Sequence, residues 1–309
     1  MFQGMKYVYA VYQEKSFSKA AEKLFISQPS LSANVKREEE LNGYPIFDRS
    51  TKPLSLTEPG ARYIQSVERI LSVENEFTEF MNDWGHLRTG SLVLGGSSLY
   101  SSWVLPPLMG EFARKYPQVH LELAENNTAK LEAMLQSGEI DMVLDNSDWD
   151  EKTYDRRVYR QEHMLLAVPR GFTSNRGLEE FQITEKMIYD QSFLKESVPT
   201  VDLSVFYRDP FILLKPKNDT RIRAMKLCGQ YGFVPDIIFE LDQQMTSFNI
   251  SSSGMGISFI SDTLIARVPS HPEIVYYKLD ADLSSRNLCF YWKKGRYLNR
   301  IMREFLKMV

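Results

Sequence analysis

Two short helical patterns, joined by a very short turn, lie near the start of this chain and constrain its fold more than any other feature. The first pattern covers residues 17–24. The second begins with Ser27 as a candidate cap and has Pro29 in its first turn, where a missing N–H is harmless. Phe25 and Ile26 are expected to fill the elbow between the helices. So short a connection fixes the angle between two helices, and this arrangement places a second helix in the major groove of DNA.

The exposed face of the second helix is predicted to carry side chains suited to a DNA groove. Glutamine bonds adenine edges, serine reaches bases or phosphates, and lysine and arginine neutralise phosphate or read guanine. Residues 43–60 then predict a two-stranded wing, with Arg49 and Lys52 on its polar tip placed to bracket the DNA backbone or minor groove. The predicted DNA-binding residues are Ser27, Gln28, Pro29, Ser30, Ser32, Ala33, Lys36, Arg37, Arg49 and Lys52.

Charge is the main objection to a DNA-binding surface here. Glu38, Glu39 and Glu40 directly follow the predicted contact residues and would repel phosphate, so we expect them to lie beyond the DNA or to turn away from it. The whole chain, with a net charge of −3 and a pI near 5.9, has no general basic character. Any contact with nucleic acid must therefore come from a local patch.

The composition favours a cytoplasmic protein. Only two cysteines occur, Cys228 and Cys289, without C-x-x-C spacing, so we expect reduced core residues and neither a disulfide framework nor a zinc cluster. Charges such as Lys6 and Glu14 interrupt the N-terminal segment, which lacks the apolar stretch of a signal peptide. No window approaches the roughly 20 apolar residues that span a bilayer.

A long amphipathic helix is predicted from Glu58 to about Asp83, with apolar residues near heptad positions. A helix of about 25 residues would be roughly 38 Å long. Such a rod needs a partner for its apolar stripe. A core helix within one protomer is the alternative.

The remainder of the chain alternates strands and helices, which predicts parallel sheets with right-handed crossovers. Two such α/β units follow one another. The strand patterns cover residues 90–98, 119–125, 140–145, 162–169, 211–215, 236–241, 254–261, 275–280 and 287–294, and a final helix follows them.

Polar side chains cluster where the predicted strands end, which is where ligands bind in such folds. The first strand leads into a helix N-terminus that favours an anion, whereas Asp145 beside Asn146 argues against a pocket tuned only for carboxylates. The class of effector therefore stays open. The predicted effector-binding residues are Ser97, Ser98, Ser101, Asn127, Thr128, Asn146, Gln243 and Thr246.

No motif indicates catalysis. The four histidines, His86, His120, His163 and His271, are scattered, with neither an H-E-x-x-H run nor a carboxylate spacing suited to a metal. No G-x-S-x-G elbow or Walker loop occurs, and a strand-to-helix turn explains the Gly-Gly-Ser-Ser run at residues 95–98. We therefore predict that the protein is not an enzyme and needs no cofactor or metal. A stand-alone solute-binding module would leave the first 60 residues unexplained.

One ordered set of residues extends through the N-terminal segment, comprising Ser16, Phe17, Ala20, Ala21, Leu24, Ser27, Gln28, Pro29, Ser30, Leu31, Ser32, Glu39, Gly43, Phe47, Arg49, Leu56, Thr57 and Gly60. This set resembles the signature of LysR-type transcriptional regulators. Glu38 and Asn42 depart from the pattern, because this family usually has leucines there.

The resemblance implies an α/β protein with an N-terminal winged helix-turn-helix, a long linker helix that pairs two protomers, and two α/β subdomains of periplasmic-binding-protein type. The implied partners are double-stranded DNA with an interrupted inverted repeat, a small-molecule effector, RNA polymerase, and further copies of the chain in a dimer or tetramer. The expected domains are residues 1–58 for DNA binding, 59–88 for the linker, and 89–309 for effector binding. Within the last, subdomain I comprises 89–162 and 267–309, and subdomain II comprises 163–266.

Overall fold

The computed structural model describes residues 2–51, 53–84, 90–216 and 218–309. The chain forms two compact units: the first comprises the residues up to Met81 together with Gln136–Gly138, and the second comprises Asn82–Leu135 and Glu139–Val309. The first unit consists of α1 (Phe2–Glu14), α2 (Phe17–Lys23), α3 (Gln28–Asn42), β1 (Phe47–Asp48), β2 (Ser55–Leu56) and most of α4 (Glu58–Trp84).

Side-chain caps set the helix-turn-helix boundaries. The hydroxyl of Ser16 accepts a hydrogen bond from the amide of Lys19 at the start of α2, and Ser27 does the same for Ser30 at the start of α3. Gly43 caps the C-terminus of α3, and its φ of +77° is the left-handed conformation that glycine adopts without steric cost. The predicted helix starts and the capping role of Ser27 are confirmed.

Small residues allow the three N-terminal helices to approach closely. Ala20 and Ala21 of α2 are buried in a core that includes Val11, Leu31 and Val35 from α1 and α3. This core holds α3 at a fixed angle to α2, as the short turn predicted.

The elbow between α2 and α3 corrects one prediction. Ile26 packs against the core, but the ring of Phe25 is 96% exposed. The backbone closes this turn, since the amides of Phe25 and Ile26 donate to the carbonyls of Glu22 and Ala21 at 3.0 Å. The resulting φ of +54° at Phe25 directs its ring out of the core, so the prediction that Phe25 fills the elbow is wrong.

The wing is a minimal antiparallel pair, with Phe47 opposite Leu56. Thr57 ties the end of the wing to the start of α4, because its amide donates to the carbonyl of Ile46 and its hydroxyl accepts from the amide of Gly60. A side chain at Gly60 would collide with the Ile46 carbonyl, so this close approach requires glycine.

The second unit begins with the first α/β subdomain and the long strand that leaves it. These elements are β3 (Gly90–Gly96), α5 (Ser98–Trp103), α6 (Leu105–Lys115), β4 (Val119–Glu125), α7 (Thr128–Ser137), β5 (Met142–Asp145) and β6 (Tyr154–Pro169). The following elements are β7 (Gln182–Ile183), α8 (Glu185–Tyr189), β8 (Pro210–Leu214), α9 (Asp219–Gln230), β9 (Asp236–Leu241), α10 (Gln244–Ser252), β10 (Ile257–Ser261), α11 (Asp262–Ile265), β11 (Ile274–Lys278), α12 (Ala281–Ser284), β12 (Ser285–Lys293) and α13 (Arg300–Leu306).

The strands run in the order β4-β3-β5-β12-β6-β10-β8-β9, with β11 and β7 off this path. β3 pairs in parallel with β4 and β5, and β8 pairs in parallel with β9 and β10, as the strand-helix alternation predicted. β6 crosses between the two halves: residues 154–163 pair with β12, and residues 164–167 pair with β10.

Two details of this unit differ from the sequence-based expectation. β6 begins at Tyr154 and not at residue 162, because its polar first half is stabilised by pairing with β12, which a local pattern does not reveal. β11 was expected in subdomain I with the rest of residues 267–309. It pairs instead with the second half of β6, with Tyr276 opposite Ala167.

Candidate nucleic-acid interface and effector cleft

The outward face of α3 carries a continuous set of polar and cationic side chains. Gln28, Ser30, Lys36 and Arg37 are exposed, and Ser32 is half-buried. Pro29 and Ala33 share this exposed surface, while Ser27 caps the helix. Lys52 lies outside the described residues. The structure therefore presents the predicted α3 residues together, along the first two-thirds of a helix whose apolar side packs in the core.

Two of the three glutamates that follow this face accept hydrogen bonds from other groups of the protein. The carboxylate of Glu39 accepts hydrogen bonds from the amides of Ile46 and Phe47, at 2.8 and 3.2 Å. Glu38 is only 8% exposed. Glu40 stays on the surface, with its carboxylate 3.7 Å from the Lys36 ammonium. The acidic run therefore opposes DNA binding less than the sequence indicates.

Glu38 occupies a buried polar cluster between three helices. The hydroxyl of Tyr63 in α4 donates to its carboxylate at 2.7 Å. Gly4 of α1 leaves the space that this carboxylate fills, because a side chain there would overlap it. Asn42 donates from its amide to the Glu38 carbonyl at 2.7 Å. The two departures from the usual leucine pattern are thus both hydrogen-bonded, one to α4 and one within α3.

Burial and the neighbouring carboxylate together raise the pKa of Tyr63. Burial is the larger cause, and the hydrogen bond to Glu38 and its negative charge add to it. The neutral hydroxyl, which can donate, is therefore the form that the folded protein stabilises.

Arg49 of the wing is held by two contacts. Its guanidinium lies 3.0 Å from the Glu39 carboxylate and 5.4 Å from the centre of the Phe17 ring. The side chain remains about half-exposed. These contacts orient the cation in the loop that follows β1, on the same unit as the α3 face.

The predicted effector residues meet in part around a small cleft between the two α/β subdomains. Ser97, Thr128, Asn146 and Gln243 line a cavity of about 40 Å³. It is further lined by Leu99, Tyr100, Asp145, Leu214, Asn218, Thr220, Asp242 and Gln244. The ends of β3, β5 and β9 thus converge, as the topology predicted.

The other four predicted effector residues are not among those that line the cavity. Ser101 is buried, and its hydroxyl donates to the carbonyl of Gly96 at 2.9 Å. Asn127 caps α7 by accepting from the amide of Lys130. Ser98 is half-buried in the first turn of α5, and Thr246 is exposed on α10. Local hydrogen bonds to the backbone therefore explain the polar side chains of Ser101 and Asn127 without a ligand.

A buried ion network beneath the cleft was not predicted from the sequence. The guanidinium of Arg286 on β12 contacts Glu162 of β6 at 2.8 Å and Asp219 of α9 at 2.9 Å. The side chains of Arg286 and Glu162 are fully buried. The network therefore joins both crossing strands to the second subdomain.

Cavity-lining residues complete this network from both sides. From the first subdomain, Tyr100 and Asn146 each donate to the Glu162 carboxylate at 3.0 Å. From the second, Thr220 accepts from Arg286 at 3.0 Å and from Gln244 at 2.9 Å. A ligand in the cleft would thus touch residues that bond the buried ion pair.

The charges in the network set the pKa of Glu162. Burial alone would raise it, but the positive charge of Arg286 and hydrogen bonds from Thr263 and Asn146 outweigh burial and hold the pKa below its ordinary value. Burial raises the pKa of Asp145 despite hydrogen bonds from Ser147 and Thr128. The surroundings of the two buried carboxylates at the cleft therefore shift their pKa values in opposite directions.

The histidines and cysteines have structural surroundings. His163 contacts Asp262 at 3.2 Å, His120 pairs with Glu122 on the surface, and His86 lies outside the described residues. Cys228 and Cys289 are buried and unpaired with each other, and burial raises the pKa of both thiols. Within the described part of the chain, no three His, Cys, Asp or Glu side chains are grouped so as to hold a metal ion.

A winged helix-turn-helix unit that precedes a cleft-bearing α/β unit defines a class of ligand-responsive DNA-binding proteins. Residues 2–61 match the bacterial regulatory helix-turn-helix protein, lysR family, and residues 85–309 match the LysR substrate binding domain. The chain belongs to the LysR family of transcriptional regulators. It is thus a DNA-binding regulator with an effector-binding domain, in a family of regulators and not of enzymes.

Comparisons with individual proteins agree with this family. The uncharacterized HTH-type transcriptional regulator YcgK of Bacillus subtilis (strain 168) is 27% identical over 304 residues, which cover 98% of this chain and 92% of YcgK. Full-length CbnR complexed with its target DNA aligns with a TM-score of 0.63 at 18% identity, covering 100% of this chain and 98% of CbnR. The regulatory domain of Synechocystis PCC6803 CcmR, in complex with 2-PG, aligns with a TM-score of 0.59 at 18% identity, covering 71% of this chain and 95% of that domain. In the described ranges, no helix combines the length and apolar character needed to cross a bilayer.

Proposed function

We propose that the α3 face and the wing of this regulator read one half-site of an operator. Gln28, Ser30 and Ser32 contact base edges, while Lys36, Arg37 and Arg49 hold phosphates. The observation that carries this proposal is the exposed polar face of α3, next to which Glu38 and Glu39 are turned into the protein. Ser27, Pro29, Ala33 and Lys52 complete the proposed contact set.

Two protomers bind an interrupted inverted repeat together, because a pair of symmetric half-sites matches a two-fold dimer. α4 supports this part of the proposal. It has 27 residues, a length of about 40 Å, and exposes Val73 and Phe77 one helical turn apart. Pairing of α4 with a second copy would cover these side chains. Assembly of dimers into a tetramer and contact with RNA polymerase belong to the same proposal, as does action in the cytoplasm, where the DNA lies.

The domain plan that we propose has DNA binding in residues 1–58, the linker in 59–88 and the effector-binding part in 89–309. In the last, the strand β11 goes with the second subdomain because it pairs with that half of β6.

The cleft between the α/β subdomains binds a small-molecule effector. Ser97, Thr128, Asn146 and Gln243 support this proposal because they line one cavity. That cavity, about 40 Å³, is far smaller than the roughly 300–1,000 Å³ of a typical ligand site. Admission of an effector therefore requires the subdomains to move apart. Such a movement changes the orientation of the subunits, and with it half-site spacing and DNA bend; by linkage, DNA then alters the affinity for effector.

A comparison of Gln28→Ala with Lys36→Ala tests the proposed contacts. The full chain would be assayed on duplexes chosen from random-sequence DNA, with every base of a half-site varied in turn. Gln28→Ala should relax the preference at one position by about 1–3 kcal/mol. Lys36→Ala should weaken all sequences alike and reduce the slope of log affinity against log salt by about one. The reverse pattern would show that the two residues have exchanged roles.

A further inference from the structure

The turn between α2 and α3 holds an aromatic ring in solvent on a rigid backbone. Phe25 is 96% exposed, the largest exposure among the large hydrophobic residues described. Its amide donates to the Glu22 carbonyl, and the next amide, of Ile26, donates to Ala21. Ile26 is itself packed on the core. The backbone at Phe25 is therefore held from both sides of the turn, and it directs the side chain away from the core.

The fold of this unit does not need the ring. The φ of +54° at Phe25 lies in the left-handed region, which costs an L-residue free energy and which glycine or asparagine adopts more easily. Turns of this kind often contain glycine. A phenylalanine here buries almost no apolar surface, so burial does not offset the free energy cost of its backbone conformation. Within the described part of this unit, no buried apolar contact of the ring offsets that cost.

The location of the ring indicates which contact outside the protein suits it. Phe25 lies two residues before Ser27, which caps α3, and three before Gln28. The N-terminal residues of a recognition helix are the ones that reach base edges in the major groove. The apolar group that the major groove offers is the 5-methyl of thymine, and phenylalanine is among the side chains that contact it.

We propose that Phe25 contacts the methyl group of a thymine beside the base read by Gln28, and so adds a thymine preference to each half-site. This proposal rests on the proposed binding of α3 in the major groove. It assigns specificity to a residue of the turn, outside the set of polar contacts on the helix.

A double-substitution cycle on protein and DNA tests the proposal. The full chain and its Phe25→Asn variant would be titrated with the duplex of highest affinity from random-sequence selection, and with duplexes in which each thymine in turn is replaced by deoxyuridine. Asparagine suits the left-handed turn, so the unfolding temperature should not fall. On thymine DNA, Phe25→Asn should lose roughly fivefold in affinity. At one thymine position, replacement by deoxyuridine should lower the affinity of the parent protein by the same factor and leave the affinity of the variant almost unchanged.

Three controls separate this contact from other effects. Phe25→Leu keeps an apolar side chain and should retain most of the affinity. Tyr189→Asn changes another strongly exposed aromatic residue, on the second unit, and should leave DNA affinity unchanged. Because no charge is removed, the salt dependence of Phe25→Asn should match that of the parent.

Two outcomes would overturn the proposal. In the first, Phe25→Asn binds thymine DNA as tightly as the parent. In the second, the affinity of Phe25→Asn is lower than that of the parent by the same factor on thymine DNA and on every deoxyuridine duplex. Unchanged DNA binding with a loss of transcription by RNA polymerase would assign the ring to a protein contact instead. Failure of the α3 assignment is recognised separately, because Gln28→Ala would then leave base preference unchanged.

Discussion

At the scale of single residues, Glu38 shows how a change in chemistry is accommodated within a family pattern. A carboxylate stands where this family usually has leucine, and its burial is stabilised by a donor from Tyr63 and by the space at Gly4. The sequence shows the departure at Glu38 but not the residues that contact it, because Tyr63 lies 25 residues away. The exposed polar side chains of α3 were predictable, since helical spacing alone assigns them to one face.

Tyr63→Phe tests this cluster. The variant leaves the buried carboxylate of Glu38 without its donor, so at pH 8 the free energy of unfolding should fall by about 1–3 kcal/mol. The pKa of Tyr63 is raised in the folded protein, so its contribution is complete below the unfolded value, about 10, and declines as the pH rises above it. The difference between the parent and Tyr63→Phe should therefore narrow at pH 10.5.

Urea unfolding at the two pH values would measure this difference, and Tyr189→Phe provides a control at an exposed tyrosine. A difference that stays constant between pH 8 and pH 10.5 would contradict the hydrogen bond that the structure assigns.

At the scale of elements, the pairing of β6 with β12 is the feature that the local sequence pattern could not show. The second half of β6 is apolar and was predicted as a strand, whereas its first half is polar and owes its conformation to β12. The ion pair between Glu162 and Arg286 joins these two strands across 124 residues of sequence. Residues that meet through such distant pairing have no local signal, which is why the floor of the cleft was missed while its polar rim was predicted in part.

Glu162→Gln tests the role of this pair in the α/β unit. The substitution keeps the size of the side chain but leaves the buried guanidinium of Arg286 without its main counter-charge, which should lower the free energy of unfolding by about 3–5 kcal/mol. Glu240→Gln removes the acid from an ion pair with Arg221 in which Glu240 is about half-exposed, and should cost less than about 1 kcal/mol. Urea denaturation of the full chain compares the two. Equal losses would show that the buried pair does not hold the crossing strands together.

At the scale of the whole molecule, periodicity predicted the succession of folded parts, and the family comparisons confirmed it. Helical spacing and caps defined the helix-turn-helix, and strand-helix alternation defined the parallel pairs around β3 and β8. The pairing of β11 could not be read from the sequence, because a late strand can join either half of a crossing pair, and the choice depends on its register with β6. The central claim of the proposed function is that two copies of the protein together select specific DNA sites.

Binding of the purified full chain to fragmented genomic DNA from its source, followed by sequencing of what is retained at moderate salt, tests that claim most directly. We expect a few enriched sites that share an interrupted inverted repeat, with half-sites separated by whole turns of the DNA helix, about 10 base pairs each. Retention of fragments without any shared sequence, by a protein shown to be folded and dimeric, would contradict it.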